Sequence, residues 1–141
     1  MTSGAEYLVT GAAGFLGSAI IRELLKRKIK TIGVIRPTSS IWRLPKENKF
    51  LSLVNCDLRE FSTVELLLSR VHPQYIVHAA THGVYANQQQ DEDWITIGNY
   101  SMLWNLLKVS QKSKNLVRFV NVGSVFEYGN RSGKVSEGDI D

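Results

Sequence analysis

Thr10–Gly17 reads TGAAGFLG, and the reading of this stretch decides the fold. An apolar run, Tyr7–Val9, precedes it, and Phe15, Leu16, Ala19, Ile20, Leu24 and Leu25 follow at helical spacing. A glycine turn between a strand and a helix is the context that makes such a pattern specific for a dinucleotide. The backbone must turn tightly at Gly11 and lie close to phosphate at Gly14. Gly17 allows helix and strand to pack closely, and the helix start offers free N–H groups to a pyrophosphate.

Working outward, five short apolar runs read as buried strands: Tyr7–Val9, Thr31–Ile35, Phe50–Val54, Tyr75–His78 and Val117–Val122. Helical patterns alternate with them. Besides the first, these comprise Phe61, Val64, Leu67 and Leu68, and then Ile95, Met102, Leu103, Leu106 and Leu107. Strands alternating with helices predict parallel pairing through right-handed crossovers. The expected fold is an α/β, Rossmann-type doubly wound sheet of strand order 3-2-1-4-5. Arg36–Lys49, with Pro37, Pro45 and a Thr-Ser-Ser cluster, reads as loop with at most a short helix. Residues 1–129 are expected to form one dinucleotide-binding domain, and residues 130–141, poor in apolar side chains, an irregular tail.

At 141 residues with 43% hydrophobic content, the chain can bury a core without staples, which argues against disorder. The formal charge of +4 comes from dispersed residues except for Lys26, Arg27, Lys28 and Lys30, which fall where the first helix should end. Basic side chains there complement the helix dipole, so no nucleic-acid partner is expected. Cys56 is the only cysteine, which suits a reducing compartment. With no signal-like segment and no run long enough to span a bilayer, a soluble cytoplasmic protein without a membrane partner is expected.

The sequence also resembles the extended short-chain dehydrogenases/reductases, the group of NAD-dependent nucleotide-sugar epimerases and dehydratases. TGAAGFLG is similar to that family's TGxxGFxG turn, which brings Ala13, Phe15 and Leu16 into the cofactor site with the glycines. Further matches follow in family order at Cys56–Leu58, His78–Ala80, Asn99 with Asn105–Leu107, and Gly123–Gly129. The resemblance implies that Asp57 accepts from the adenine amino group, with Leu58 beside it, although Asp57 could equally cap a helix starting near Arg59. It also places His78, Ala79, Ala80 and Asn99 along the cofactor. Small side chains let the backbone of Ala79 and Ala80 lie against it. A metal pair of His78 with His82 is disfavoured, because the two sit at a strand-to-loop junction without further ligands.

The cofactor is expected to be NADP or NAD. An acidic residue closing the second strand would bind the ribose hydroxyl of NAD, whereas Arg accommodates the 2′-phosphate of NADP; the chain has Arg36 there, which favours NADP unless Arg36 is merely solvated. Ser124 occupies the place of the family's substrate-polarising Ser or Thr, with Gly123 in place of the usual first Ser. A plain turn role for Ser124 stays open. Tyr128 reads as a packing or substrate-pocket aromatic.

The family's acid/base is a Tyr followed four residues later by Lys, and no tyrosine here fits. Tyr7, Tyr75, Tyr85, Tyr100 and Tyr128 are followed at that spacing by Gly11, Ala79, Gln89, Trp104 and Ser132. The pair, a sixth strand and the C-terminal lobe that would hold a nucleotide-sugar are all expected to be absent. The expectation is thus the cofactor-binding part of a nucleotide-sugar epimerase, dehydratase or reductase, inactive alone. Two alternatives stand beside it: a catalytically silent dinucleotide-binding regulator of the same fold, and a remnant that binds nothing. An exposed fifth strand, and Trp94, Ile95, Met102, Leu103 and Trp104 on the preceding helix, predict self-association as a homodimer, with core packing as the other reading of the inward-facing members.

Overall fold

The computed structural model describes residues 7–83, 92–124, 128–129, 133–136 and 138. Five strands are joined by three helices: β1 (Tyr7–Thr10), α1 (Phe15–Lys26), β2 (Thr31–Ile35), β3 (Leu51–Asn55), α2 (Phe61–Val71), β4 (Tyr75–His78), α3 (Glu92–Ser110) and β5 (Arg118–Asn121). All pairings are parallel, and the strand order is β3-β2-β1-β4-β5. This is the expected doubly wound sheet.

Alternate side chains of the central strands feed two cores, as the pleat requires. Leu8, Ile32, Val34 and Ile76 face α2 and α3, where they meet Val64, Leu67, Leu68, Met102, Leu106 and Val109. Val9 faces α1 on the other side and packs with Ile21, Leu24, Leu25 and Leu44. The Arg36–Lys49 segment forms no helix, yet Leu44 roofs this second core. Arg22 of α1 holds the segment by donating to the Arg43 carbonyl at 2.9 Å.

Helix ends follow local chemistry. Past Lys26 the chain turns at Lys28, whose φ is 58°, and the amides of Lys28 and Ile29 return to the carbonyls of Leu25 and Leu24. Lys26 and Arg27 both pair with Glu23, which keeps that basic cluster on the exposed helix terminus. After α2, His72 takes a left-handed conformation and donates to Leu68 before Pro73 redirects the chain.

Candidate functional site at the carboxyl edge of the sheet

The turn between β1 and α1 is built on two close approaches. Gly11 has φ +65°, and a Cβ there would stand 2.5 Å from the Ala79 carbonyl oxygen. Gly17 faces the Gly11 carbonyl so closely that a side chain would enter it. Any other residue at either point would prise the turn from β4 or the helix from the turn. Gly14 closes the turn by donating to the Gly11 carbonyl at 2.9 Å and stands as the N-cap of α1. No side chain caps that end and no acidic residue lies in its first turn. The first amides of α1 thus keep their hydrogen-bonding capacity and the positive end of the dipole. Phe15 and Leu16 are exposed there, and Ala13 is half-buried in the turn.

The ends of the neighbouring strands complete the edge. Arg36 leaves β2 as an exposed residue, its amide donating to Ser39 Oγ at 3.0 Å. Beyond β3, Asp57 Oδ1 accepts from the Arg59 backbone N–H and from Nε, each at 3.0 Å. Its Oδ2 accepts from the guanidinium at 2.6 Å. The hydrogen bonds from Arg59 hold the Asp57 carboxyl below its ordinary range, and the field of Arg36 adds to the effect. α2 starts at Phe61 with Glu60 as its N-cap, so Asp57 closes an Asx turn ahead of the helix and is not the cap itself. Leu58 is buried in the core, and its carbonyl accepts from the Asn105 amide at 3.0 Å.

Beyond β4, Ala79 and Ala80 lie against the glycine turn, and the loop that follows is held by Asn99. The Asn99 amide donates to the carbonyls of His82 and Ile95, and its oxygen accepts from the His82 N–H and the Thr81 hydroxyl, over 2.9–3.3 Å. These four bonds use the two donors and both lone pairs of an amide. Asn99 therefore shapes the loop from α3.

The two histidines go separate ways. His78 is buried against Thr10, whereas the His82 ring tilts on Trp94 with centroids 3.7 Å apart. Burial lowers the His82 pKa, Arg59 and Arg36 lower it further, and Asp57 opposes them. Arg36, Asp57, Arg59 and His82 thus share one electrostatic neighbourhood at the ends of β2, β3 and β4. Among the described residues, no group of three or more His, Cys, Asp or Glu could hold a metal ion.

Ser124 follows β5 at the same edge and is exposed, and Tyr128 is half-buried. Val125–Glu127 of that motif lies outside the described residues, as does most of the 130–141 tail. Two residues not singled out from the sequence belong to the edge. Arg59 clamps Asp57, and its spacing two residues from a carboxylate was a usable signal. Thr10 bonds His78 across 68 positions of sequence, a partnership that only the register of β1 with β4 reveals.

A parallel, doubly wound sheet with a glycine turn at its carboxyl edge defines a broad class of nucleotide-binding folds. Within that class, a model of the NAD dependent epimerase/dehydratase family matches residues 7–140, and the chain belongs to that family. It is 28% identical over 137 residues to ADP-L-glycero-D-manno-heptose-6-epimerase of Nitratidesulfovibrio vulgaris, covering 94% of this chain and 40% of that protein. The solved structure of the Bordetella bronchiseptica enzyme WbmH in complex with NAD+ is similar, at 27% identity and TM-score 0.73, over 93% of this chain and 42% of that one. The epimerase Mth375 of Methanothermobacter thermautotrophicus, 24% identical, shares the fold with TM-score 0.83 over 99% of this chain and 42% of its own. The chain thus spans about two fifths of the length of the relatives it matches.

Proposed function

We propose that this chain is the NAD(P)-binding portion of a nucleotide-sugar epimerase, dehydratase or reductase. The observation that carries this reading is the uncapped α1 N-terminus behind the tight Gly11–Gly17 turn, on a chain of this family. The pyrophosphate lies against the first amides of α1, the adenine beside Asp57 and Leu58, and the rest of the cofactor along Ala79 and Ala80. The binding of NAD+ by WbmH supports a nicotinamide dinucleotide as the ligand. NADP is the preferred form. Arg36 at the end of β2 is exposed and has no carboxylate within its own turn, and it offers a guanidinium to a 2′-phosphate.

Ser124 is assigned the hydrogen bond to a substrate hydroxyl or carbonyl, and Tyr128 a wall of the substrate pocket. No tyrosine of this stretch is followed four positions on by lysine, so the family's acid/base step, worth about 10²–10⁴-fold, is not assigned to its residues. Self-association is part of the proposal, with α3 as the surface. Trp94, Ile97, Tyr100, Trp104 and Leu107 repeat every three or four residues, and each is 39–63% exposed.

Fluorescence titration with NADPH and NADH tests the reading. Saturable binding of NADPH, tighter than that of NADH, is expected, and Arg36→Ala should weaken NADPH about tenfold while leaving NADH unchanged. A folded sample that binds neither dinucleotide would sink the proposal in favour of a remnant.

A further inference from the structure

Thr10 and His78 are register partners at the ends of β1 and β4, and their side chains meet inside the sheet edge. Thr10 Oγ1 lies 2.7 Å from His78 Nδ1, and both residues are buried. The Ala80 backbone N–H donates to the same Oγ1 at 3.2 Å. An amide N–H can only donate, so the hydroxyl accepts from Ala80. Among the described residues, Nδ1 is the one acceptor within reach of the Thr10 hydrogen. The relay Ala80 N–H to Thr10 O–H to His78 Nδ1 therefore satisfies all three groups, and it requires Nδ1 to be bare, with the ring proton on Nε2.

We infer that His78 is a positioning residue for the dinucleotide: acting through the Thr10 hydroxyl, its bare Nδ1 holds the end of β4 against the glycine turn. The seam being held is a close approach of backbone to backbone, since the Ala79 carbonyl and Ala80 amide stand within 2.8 Å of where a Gly11 Cβ would be. The His78 carbonyl also accepts from the Val122 N–H at 3.0 Å, so the strand leading to Ser124 is tied to the same residue. His78 thus shapes the pyrophosphate turn without touching the ligand. An apolar residue of equal size would fill the space but leave the Thr10 hydroxyl undirected.

The inference rests on the dinucleotide-binding reading above, so two measurements separate them. In the whole protein at neutral pH, ¹⁵N-edited NMR of the imidazoles should show His78 neutral, protonated on Nε2. A proton on Nδ1, or a cationic ring, would overturn the relay whether or not any ligand binds. Titration with NADH and NADPH then compares Thr10→Val, Thr10→Ser and Val64→Ala, a core change on the inner face of α2 that costs stability away from the turn. Thr10→Val should weaken binding about tenfold or more, Thr10→Ser should restore it, and Val64→Ala should leave it within about twofold. Wild-type affinity in Thr10→Val would overturn the positioning role. If Thr10→Val does not fold, the tautomer and the behaviour of Thr10→Ser decide. Failure of the wild type to bind either dinucleotide would instead remove the functional reading and leave the tautomer result standing.

Discussion

Gly11 concentrates most of the site's constraint in one residue. Its φ of +65° and the Ala79 carbonyl behind it both exclude a side chain. Gly11→Ala should cost about 2–4 kcal/mol in denaturant unfolding and abolish dinucleotide binding, because strain and overpacking act together. The buried ring of His78 has a different signature. Burial pushes its pKa from 6.5 down to about 4, so the unfolded chain takes up a proton that the folded one refuses. The stability contributed by this neutral ring is complete above about pH 6.5 and is lost as pH falls toward 4, by at most about 1.4 kcal/mol per pH unit. Urea unfolding of wild type and His78→Phe from pH 7 to pH 4 checks this, the variant showing the shallower decline. The glycines were legible in the sequence because their conformational demands are local. The His78 partnership was not, because register is a property of two strands.

At the scale of elements, α3 does more than cover the sheet. Asn105, buried on its inner face, donates to the carbonyls of Leu58 and Arg59 at 3.0 and 2.9 Å, which fixes the bend between β3 and α2 where Asp57 sits. Asn105→Ala leaves the buried Leu58 carbonyl and the part-buried Arg59 carbonyl without this donor and should cost about 1–3 kcal/mol in thermal or denaturant unfolding. Asn99, two turns earlier on α3, holds the loop beyond β4 in the same way. Motif order singles out both asparagines, but their work on carbonyls 17 and 46–47 residues away emerges only when helix and sheet edge are packed together. The strand limits came within a residue of expectation because short apolar runs bounded by polar residues are local signals, as at Leu51–Asn55 and Arg118–Asn121.

Across the whole molecule, the two faces of the sheet are unequally covered. Among the described residues, α2 and α3 close one face, whereas α1 and Leu44 cover the other mainly over β1, β2 and β3. Tyr7, Tyr75, Val77, Arg118 and Val120 line an open hollow of about 360 Å³ beside edge strand β5. A further apolar exposure is the α3 stripe, where the Tyr100 and Trp104 rings stack at 5.7 Å and Lys108 lies over Trp104. Of the helix residues expected to drive association, Met102 is core, Ile95 and Leu103 are half-buried, and Trp94 and Trp104 face outward. Sedimentation velocity should therefore show a concentration-dependent dimer that Trp104→Glu with Ile97→Glu converts to monomer. The same charge placed at Val120 should leave it intact; the opposite pattern would move the interface to the β5 edge. Among the described residues no helix is long and apolar enough to cross a membrane.

Much of this architecture follows from sequence alone. Alternating apolar periodicities dictate five parallel strands with helical crossovers, and three glycines between β1 and α1 dictate the turn, since each requirement is met within a few residues of chain. The tertiary structure decided what those residues face. It put Thr10 opposite His78 and the Asn99 amide on the loop beyond β4. It brought Arg36 and Arg59 to one end of the sheet, and turned one side of α3 inward and the other to solvent. Such relations join residues tens of positions apart, and they depend on strand register and helix packing, which no local pattern encodes.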